Sequence, residues 1–186
     1  MEIVFVTGNE NKLSEVQEIL TNFTIVGYPL SLIERQGSAE EIIDAKLDEA
    51  YKKIKKPLIV EDTSLIFESM GGLPGPYIKD FLRNVSLDKF HKLASFDGEY
   101  NARAVCFIGF IDSNGKKSIF KGECLGKISE PKGTSNFGWD PVFQPAGFEK
   151  TFAQMTAEEK NKVSHRKVAF EKFKYFLEKF RTYKVR

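Results

Sequence analysis

Apolar and polar positions change period several times along the chain, and each change marks an element. Ile3 to Val6 is a short apolar run that stops at Thr7-Gly8-Asn9, a buried strand entering a turn. Leu13, Val16 and Leu20 then recur at helical spacing, predicting a helix from near Asn9 to Thr21 or Asn22. A short strand around Thr24 to Val26 leads into an irregular stretch from Tyr28 to Gly37. Ser38 and Glu41 form a capping-box pattern, and behind them Ile43, Leu47, Ala50, Tyr51 and Ile54 make one helical stripe. Lys55-Lys56-Pro57 supplies the basic end and the stop. Leu58 to Val60 is a further apolar strand that runs directly into Glu61-Asp62-Thr63.

In the second half, Gly71-Gly72-Leu73-Pro74-Gly75-Pro76 is a loop by composition. Pro76 suits the first turn of a helix whose buried face carries Ile78, Phe81 and Leu82. Ala102 to Asp112 and Lys117 to Ile128 are long strands flanking Ser113-Asn114-Gly115, a hairpin turn. The first of them is apolar on both faces, as a central strand should be. A second irregular region, Ser129 to Phe152, precedes a closing helix on which Ala169, Phe173, Phe176, Leu177 and Phe180 line up. Strand–helix units followed by a hairpin predict an α/β fold with a mixed sheet and helices packed around it. The expectation is one domain over residues 1–186, in two lobes with a central cleft.

Charge narrows the function classes. The 28 Lys+Arg against 26 Asp+Glu leave a net charge of +2, which argues against a strongly basic nucleic-acid binder. Cys106 and Cys124, the two cysteines, exclude a disulfide framework and a Cys-rich zinc site, and read as buried small hydrophobes in a reducing compartment. Val105 to Ile111 is the longest apolar run and fits a strand, not a membrane span. A strand-like run begins directly after Met1-Glu2, so no basic leader is expected and the default location is cytoplasmic.

Several positions carry chemistry. Thr7-Gly8-Asn9-Glu10-Asn11-Lys12 sits at a strand-to-helix turn, where backbone N–H groups, the positive helix end and Lys12 make an anion site. Its bland alternative is a capped helix with an exposed lysine. Glu61-Asp62-Thr63 ends a buried strand, where open α/β sheets place ligands. Adjacent strand residues point to opposite faces, so only one of these two acids need face a cleft. Such a carboxylate can hold magnesium together with substrate phosphates, or deprotonate a water. Glu34 is a possible second carboxylate.

Phe137-Gly138-Trp139-Asp140 places two aromatics and an acid in a loop. Exposed rings stack on nucleobases, although loop aromatics more often pack back on the core. Lys160 suits a phosphate, and Arg166 suits a carbonyl oxygen on a base edge. His165 taken alone reads as a satisfied surface residue, and with His91 as the other histidine no multi-histidine metal site is possible. No Ser or Cys nucleophile stands with a His partner, which disfavours covalent catalysis. Together these residues are the parts of a nucleotide site.

With these motifs on the page, the chain resembles the inosine-triphosphate pyrophosphatase family. The matching blocks are T-G-N-E-N-K at 7–12, V-E-D-T-S-L at 60–65, G-G-L-P-G-P-Y-I-K at 71–79, F-G-W-D-P-V-F at 137–143 and E-K-N-K-V-S-H-R at 159–166. They stand in the family's order over most of the chain. Gln154-Met155-Thr156 departs from the family's more usual run, outside the chemistry.

The resemblance implies hydrolysis of ITP, dITP and XTP to the monophosphate and pyrophosphate, with Mg2+ as cofactor. It implies that Thr7 to Lys12 hold the phosphates, that Asp62 is general base and metal ligand, and that Glu34 is the other metal ligand. Thr63, Phe137, Gly138, Trp139, Asp140 and Lys160 would line the pocket, with Phe137 on the purine, and His165 and Arg166 would read the base. It further implies an elongated mixed sheet, a homodimer, and a small-molecule substrate with neither nucleic acid nor membrane as partner. A donor such as Arg166 can bond the 6-oxygen of hypoxanthine or xanthine but not the 6-amino group of adenine. The rivals are a pyrophosphatase for other modified nucleotides, pyrimidines included, and a non-catalytic nucleic-acid-binding module.

Overall fold

The chain is described by a computed structural model covering residues 2–95, 98, 100–135 and 138–184, with side chains to residue 179. Strand β1 (Glu2–Val6) is followed by helix α1 (Glu10–Ile19), β2 (Thr24–Tyr28) and α2 (Ala39–Ile54). Strand β3 (Leu58–Phe67) and the two-residue β4 (Pro74–Gly75) lead to α3 (Ile78–Asn84) and α4 (Leu87–Ala94). The long strands β5 (Asn101–Ile111) and β6 (Lys117–Ile128) precede β7 (Phe143–Pro145), α5 (Ala157–Val163) and α6 (His165–Lys184).

Among the described residues the strands form one seven-stranded sheet in the order β2-β1-β3-β5-β6-β7, with β4 paired to β3. The sheet is mixed. Both β2 and β3 run parallel to β1, while β4 on β3 and β7 on β6 are antiparallel. The expected α/β class, with a mixed sheet flanked by helices, is what the chain forms.

Contacts divide the chain into two compact units. The first comprises residues 1–62, 106–122 and 166–186, and its core joins β1, α1, β2, β3, β5 and α6. Ile3, Phe5, Ile59, Cys106, Ile108 and Phe110 face α1 and α6 from the sheet, with Phe5 on Phe170 at 6.1 Å between ring centroids and Phe110 on Phe173 at 5.2 Å. The alternate residues of these strands face α2: a Cβ on Gly109 would meet Ile43 at 2.7 Å and Leu47 at 2.8 Å. Close approach of α2 to β5 therefore requires that glycine. The second unit, residues 63–105 and 123–165, packs Leu65, Phe67, Phe90, Trp139, Phe143 and Phe152 in its own core.

Several elements depart from the sequence reading. Strand β3 does not stop at Val60 but runs on to Phe67, ten residues in all, so Glu61-Asp62-Thr63 lies within a strand and not after one. A polar run with weak strand propensity is held extended because β5 lies beside it in the sheet. The irregular region after Ser129 is followed by a separate helix, α5, started by a Thr156–Glu159 capping box. Helix α4 was not anticipated, and the helix after Pro76 begins at Ile78. The hairpin turn is as expected: Asp112 Oδ1 accepts the amides of Asn114 and Lys116 at 2.8 and 2.9 Å.

Both cysteines are free and buried. Burial pushes the Cys124 thiol up to about 11 and Cys106 well above its ordinary value, so both stay protonated. Among the described residues, no helix is long and apolar enough to cross a membrane.

The pairing of β6 with β7 supplies a test of the register. Gly126 lies opposite Pro145, and a Cβ there would press on the Gln144 carbonyl and on Phe143 Cζ. Since backbone cannot yield as a side-chain tip can, Gly126→Ala should cost about 1–3 kcal/mol, read as a lower urea midpoint at unchanged m.

Candidate active site

The two adjacent acids of β3 are sent to opposite faces of the sheet by the strand's two-residue period. Ile59 and Glu61 share the face covered by α1 and α6, whereas Asp62 shares the face covered by α2. There Lys46, on α2, donates from Nζ to Asp62 Oδ1 at 2.5 Å. The same ammonium stands 3.6 Å from Glu34 Oε2, so one lysine joins the two carboxylates expected to hold a metal. Burial raises the pKa of Asp62, and the Lys46 charge opposes that shift without cancelling it. Asp62 Oδ2 is buried and has no hydrogen-bond partner among the described residues.

That orphaned oxygen decides whether a divalent cation fits. A hard cation takes oxygen donors, and magnesium binds through only one or two carboxylates plus substrate phosphates. Among the described residues no group of three or more His, Cys, Asp or Glu gathers as a cage; the two carboxylates expected to hold a metal both stand beside Lys46. Glu34, 62% exposed, is not confined by packing. The pair fits a magnesium ion completed by phosphate oxygens.

On the other face lies a more deeply buried cluster. Glu61 Oε1 accepts from Arg166 Nε at 3.0 Å and Nη2 at 2.9 Å, and Glu15 Oε2 accepts from Arg166 Nη1 at 2.6 Å. Glu61 Oε2 is 3.6 Å from Lys12 Nζ. Burial works against the arginine's charge, but Glu61 and Glu15 outweigh it and hold Arg166 above its ordinary pKa. The guanidinium expected to read a base is thus committed at Nε, Nη1 and Nη2 to two carboxylates.

The turn from β1 to α1 is a capped helix start. Asn9 Oδ1 accepts the amides of Asn11 at 3.0 Å and Lys12 at 3.2 Å, while Thr7 Oγ1 accepts the amide of Asn9 at 3.1 Å. Three amides expected to meet phosphate are therefore already held by side chains. What remains is the Lys12 ammonium, the positive helix end and the open space over Gly8, where a Cβ would meet nothing within 4 Å. Glu10 and Asn11 are exposed.

Within the second unit, Trp139, Asp140, Lys160 and His165 are all buried. Asp140 Oδ2 accepts from Lys160 Nζ at 2.6 Å and from Ser135 Oγ at 2.9 Å. Lys160 Nζ lies 5.4 Å from the Phe152 ring centroid. Trp139 packs back on Phe143, Phe152 and His165, the alternative foreseen for a loop aromatic. His165 is no surface residue; its ring packs on those of Trp139 at 5.3 Å and Phe152 at 6.0 Å, the three forming one cluster. Gly138 is exposed and a Cβ there would meet Leu82 Cδ1 at 2.9 Å, Thr63 is half-buried, and Phe137 lies outside the described residues.

Sequence reasoning missed Lys46 and Glu15. The signal for Lys46 was present: it lies four residues from both Ile42 and Ala50, on the buried stripe of α2. Arg166 stands likewise on the stripe of Ala169, Phe170, Phe173 and Leu177. A charge in register with an apolar stripe is a charge that must be paired.

Carboxylates paired with lysines and an arginine on a mixed sheet are thus the geometry of the site. Comparison with known proteins then places the chain: residues 3–176 match the Ham1 family, and the chain belongs to that family. It is 42% identical over 188 residues to an inosine triphosphate pyrophosphatase of Scheffersomyces stipitis, covering 94% of this chain and 97% of that protein. A Ham1 protein of Staphylococcus aureus superposes with a TM-score of 0.82 at 27% identity, over 96% of this chain and 98% of that one. A HAM1 protein of Coxiella burnetii gives 0.85 at 26% identity, over 96% and 99%.

The Lys46–Asp62 pair can be checked directly. Removing the ammonium takes away the larger of the two charges that oppose desolvation, the other being Lys12, so in Lys46→Met the Asp62 carboxyl should titrate at higher pH than in the native chain. Carbon-detected NMR of the carboxyl reads the midpoint; a midpoint that stays or falls would mean the pair does not form in solution.

Proposed function

We propose that the protein is a magnesium-dependent nucleoside-triphosphate pyrophosphatase that converts ITP, dITP and XTP to the monophosphate and pyrophosphate. The observation that carries the reading is Asp62, a buried carboxylate with one oxygen on Lys46 and the other without a hydrogen-bond partner among the described residues. Support comes from the Scheffersomyces stipitis relative, an inosine triphosphate pyrophosphatase by name.

Asp62 and Glu34 would hold the cation, which when bound supplies Lewis-acid polarisation of phosphate oxygens. Asp62 Oδ2 accepts a proton from a water as that water attacks the α-phosphorus, and the α–β phosphoanhydride bond breaks. A raised pKa makes this carboxylate a better proton acceptor than an ordinary aspartate, provided it stays ionised at working pH. Lys46 holds Asp62 Oδ1 and so fixes which oxygen is presented. Lys12 and the helix end balance charge on the departing pyrophosphate. The capped amides of Asn9, Asn11 and Lys12 shape the turn and leave that task to the ammonium.

Selectivity follows from donors. Arg166 or a protonated His165 can donate to a 6-oxygen, while a 6-amino group would leave that donor buried and unsatisfied. The roles given to Thr63, Phe137, Gly138, Trp139, Asp140 and Lys160 in lining the substrate pocket rest on the resemblance of their motifs. The enzyme is read as homodimeric on the same ground.

A nucleotide panel with pyrophosphate detection tests the reading. ITP, dITP and XTP should turn over only with magnesium, and ATP and the pyrimidine triphosphates far more slowly; pyrimidine preference would shift the assignment to other modified nucleotides. Asp62→Asn should lower kcat by about a hundredfold or more with the far-UV circular dichroism unchanged, and near-native turnover would remove Asp62 from the mechanism. In Arg166→Ala the ITP-to-ATP ratio of kcat/KM should fall, and an unchanged ratio would contradict its role toward the base.

A further inference from the structure

Glu61 takes no part in the chemistry given to Asp62, yet its side chain is only 2% exposed. Its two oxygens serve different cations: Oε1 takes the Nε and Nη2 edge of Arg166, with the Cys106 thiol donating to it from 3.6 Å, and Oε2 faces Lys12. Glu15 closes the other end of the guanidinium. Two cations and two carboxylates therefore cancel within this cluster. An isolated buried ion is costly, so each member holds the others in place, and the planar arginine fork allows Glu61 one orientation.

We propose that Glu61 is a positioning residue that ties Lys12 to Arg166, setting the guanidinium plane through Oε1 and balancing the Lys12 ammonium through Oε2. The inference rests on the pyrophosphatase reading and deepens it: phosphate affinity and base selectivity share one buried carboxylate. Glu61→Gln keeps the volume but leaves the cluster with one uncompensated positive charge. Anion affinity then rises, whereas damage to packing would lower it. An amide oxygen in the place of Oε1 still accepts from Nε and Nη2 but without the charge that strengthens both bonds, and its NH2 end meets the Lys12 ammonium, so the guanidinium plane is held less firmly.

Calorimetry with inorganic pyrophosphate in magnesium buffer, run beside ITP and ATP kinetics, reads both effects. Glu61→Gln should bind pyrophosphate about threefold to tenfold more tightly, and its ITP-to-ATP ratio of kcat/KM should fall by about tenfold. Glu61→Asp, which keeps the charge on a shorter stem, should hold pyrophosphate within about twofold of the native affinity while lowering the same ratio. Weaker pyrophosphate binding by a folded Glu61→Gln, or an unchanged ratio, overturns the proposal. If Glu61→Gln fails to fold, Glu61→Asp decides, and native selectivity in that variant overturns it. A native chain inactive on ITP would instead remove the pyrophosphatase reading, and this inference with it, before any variant is made.

Discussion

The alternation of side chains at Glu61-Asp62 on β3 is the constraint on which the site depends. Two carboxylates on neighbouring residues would repel if they faced the same way. The strand period separates them across the sheet, and each meets cations brought by a different helix. Lys46 comes from α2 to Asp62; Lys12 comes from α1 and Arg166 from α6 to Glu61. A one-residue slip in β3 would turn each acid to the opposite face and leave one of the two sets of cations opposite Val60 or Thr63 with no carboxylate. The register of β1 on β3, Val4 with Leu58 and Phe5 with Ile59, is thus an electrostatic specification as well as a packing one.

Much of this was legible in the sequence, and the illegible part has a physical pattern. The strands at Ile3 and Leu58, the capped helix after Ser38 and the hairpin around Asn114-Gly115 follow from periodicity and turn chemistry, which are local. The extension of β3 through Asp62-Thr63-Ser64 is not local, since its support comes from a strand some forty residues further on. In the same way, the opposed directions of Glu61 and Asp62 were readable, but their partners were not. Lys46 and Glu15 sit in helices whose stripes were identified from apolar residues alone, so charges in register with those stripes were not weighed. The roles of Lys160 and His165 could not be judged from their types. Burial pairs Lys160 with Asp140 and sets His165 among aromatic rings.

The core explains how such charges are tolerated. Arg166 begins the helical stripe that continues through Ala169, Phe170, Phe173 and Leu177, so seating those aromatics on the sheet carries the guanidinium inward with them. Each large apolar side chain buried there contributes roughly 1.5–3 kcal/mol, which offsets the desolvation of the neighbouring ion cluster. The same argument holds on the other face, where Ile42, Ile43, Leu47 and Ala50 anchor α2 and Lys46 travels with them.

The two faces nevertheless differ in how completely the charge is satisfied. Around Glu61 one oxygen takes two donors of Arg166 and the other stands 3.6 Å from the Lys12 ammonium, beyond hydrogen-bond distance, while Arg166 itself is held above its ordinary pKa. Around Asp62 desolvation outweighs the lysine, the pKa is raised, and one oxygen has no hydrogen-bond partner among the described residues. Among the described residues each acid thus keeps one oxygen outside hydrogen-bond reach, but two cations stand against Glu61, whereas desolvation outweighs the cation at Asp62. That inequality is the arrangement expected where a stable support stands behind a carboxylate that must still accept something from outside the chain.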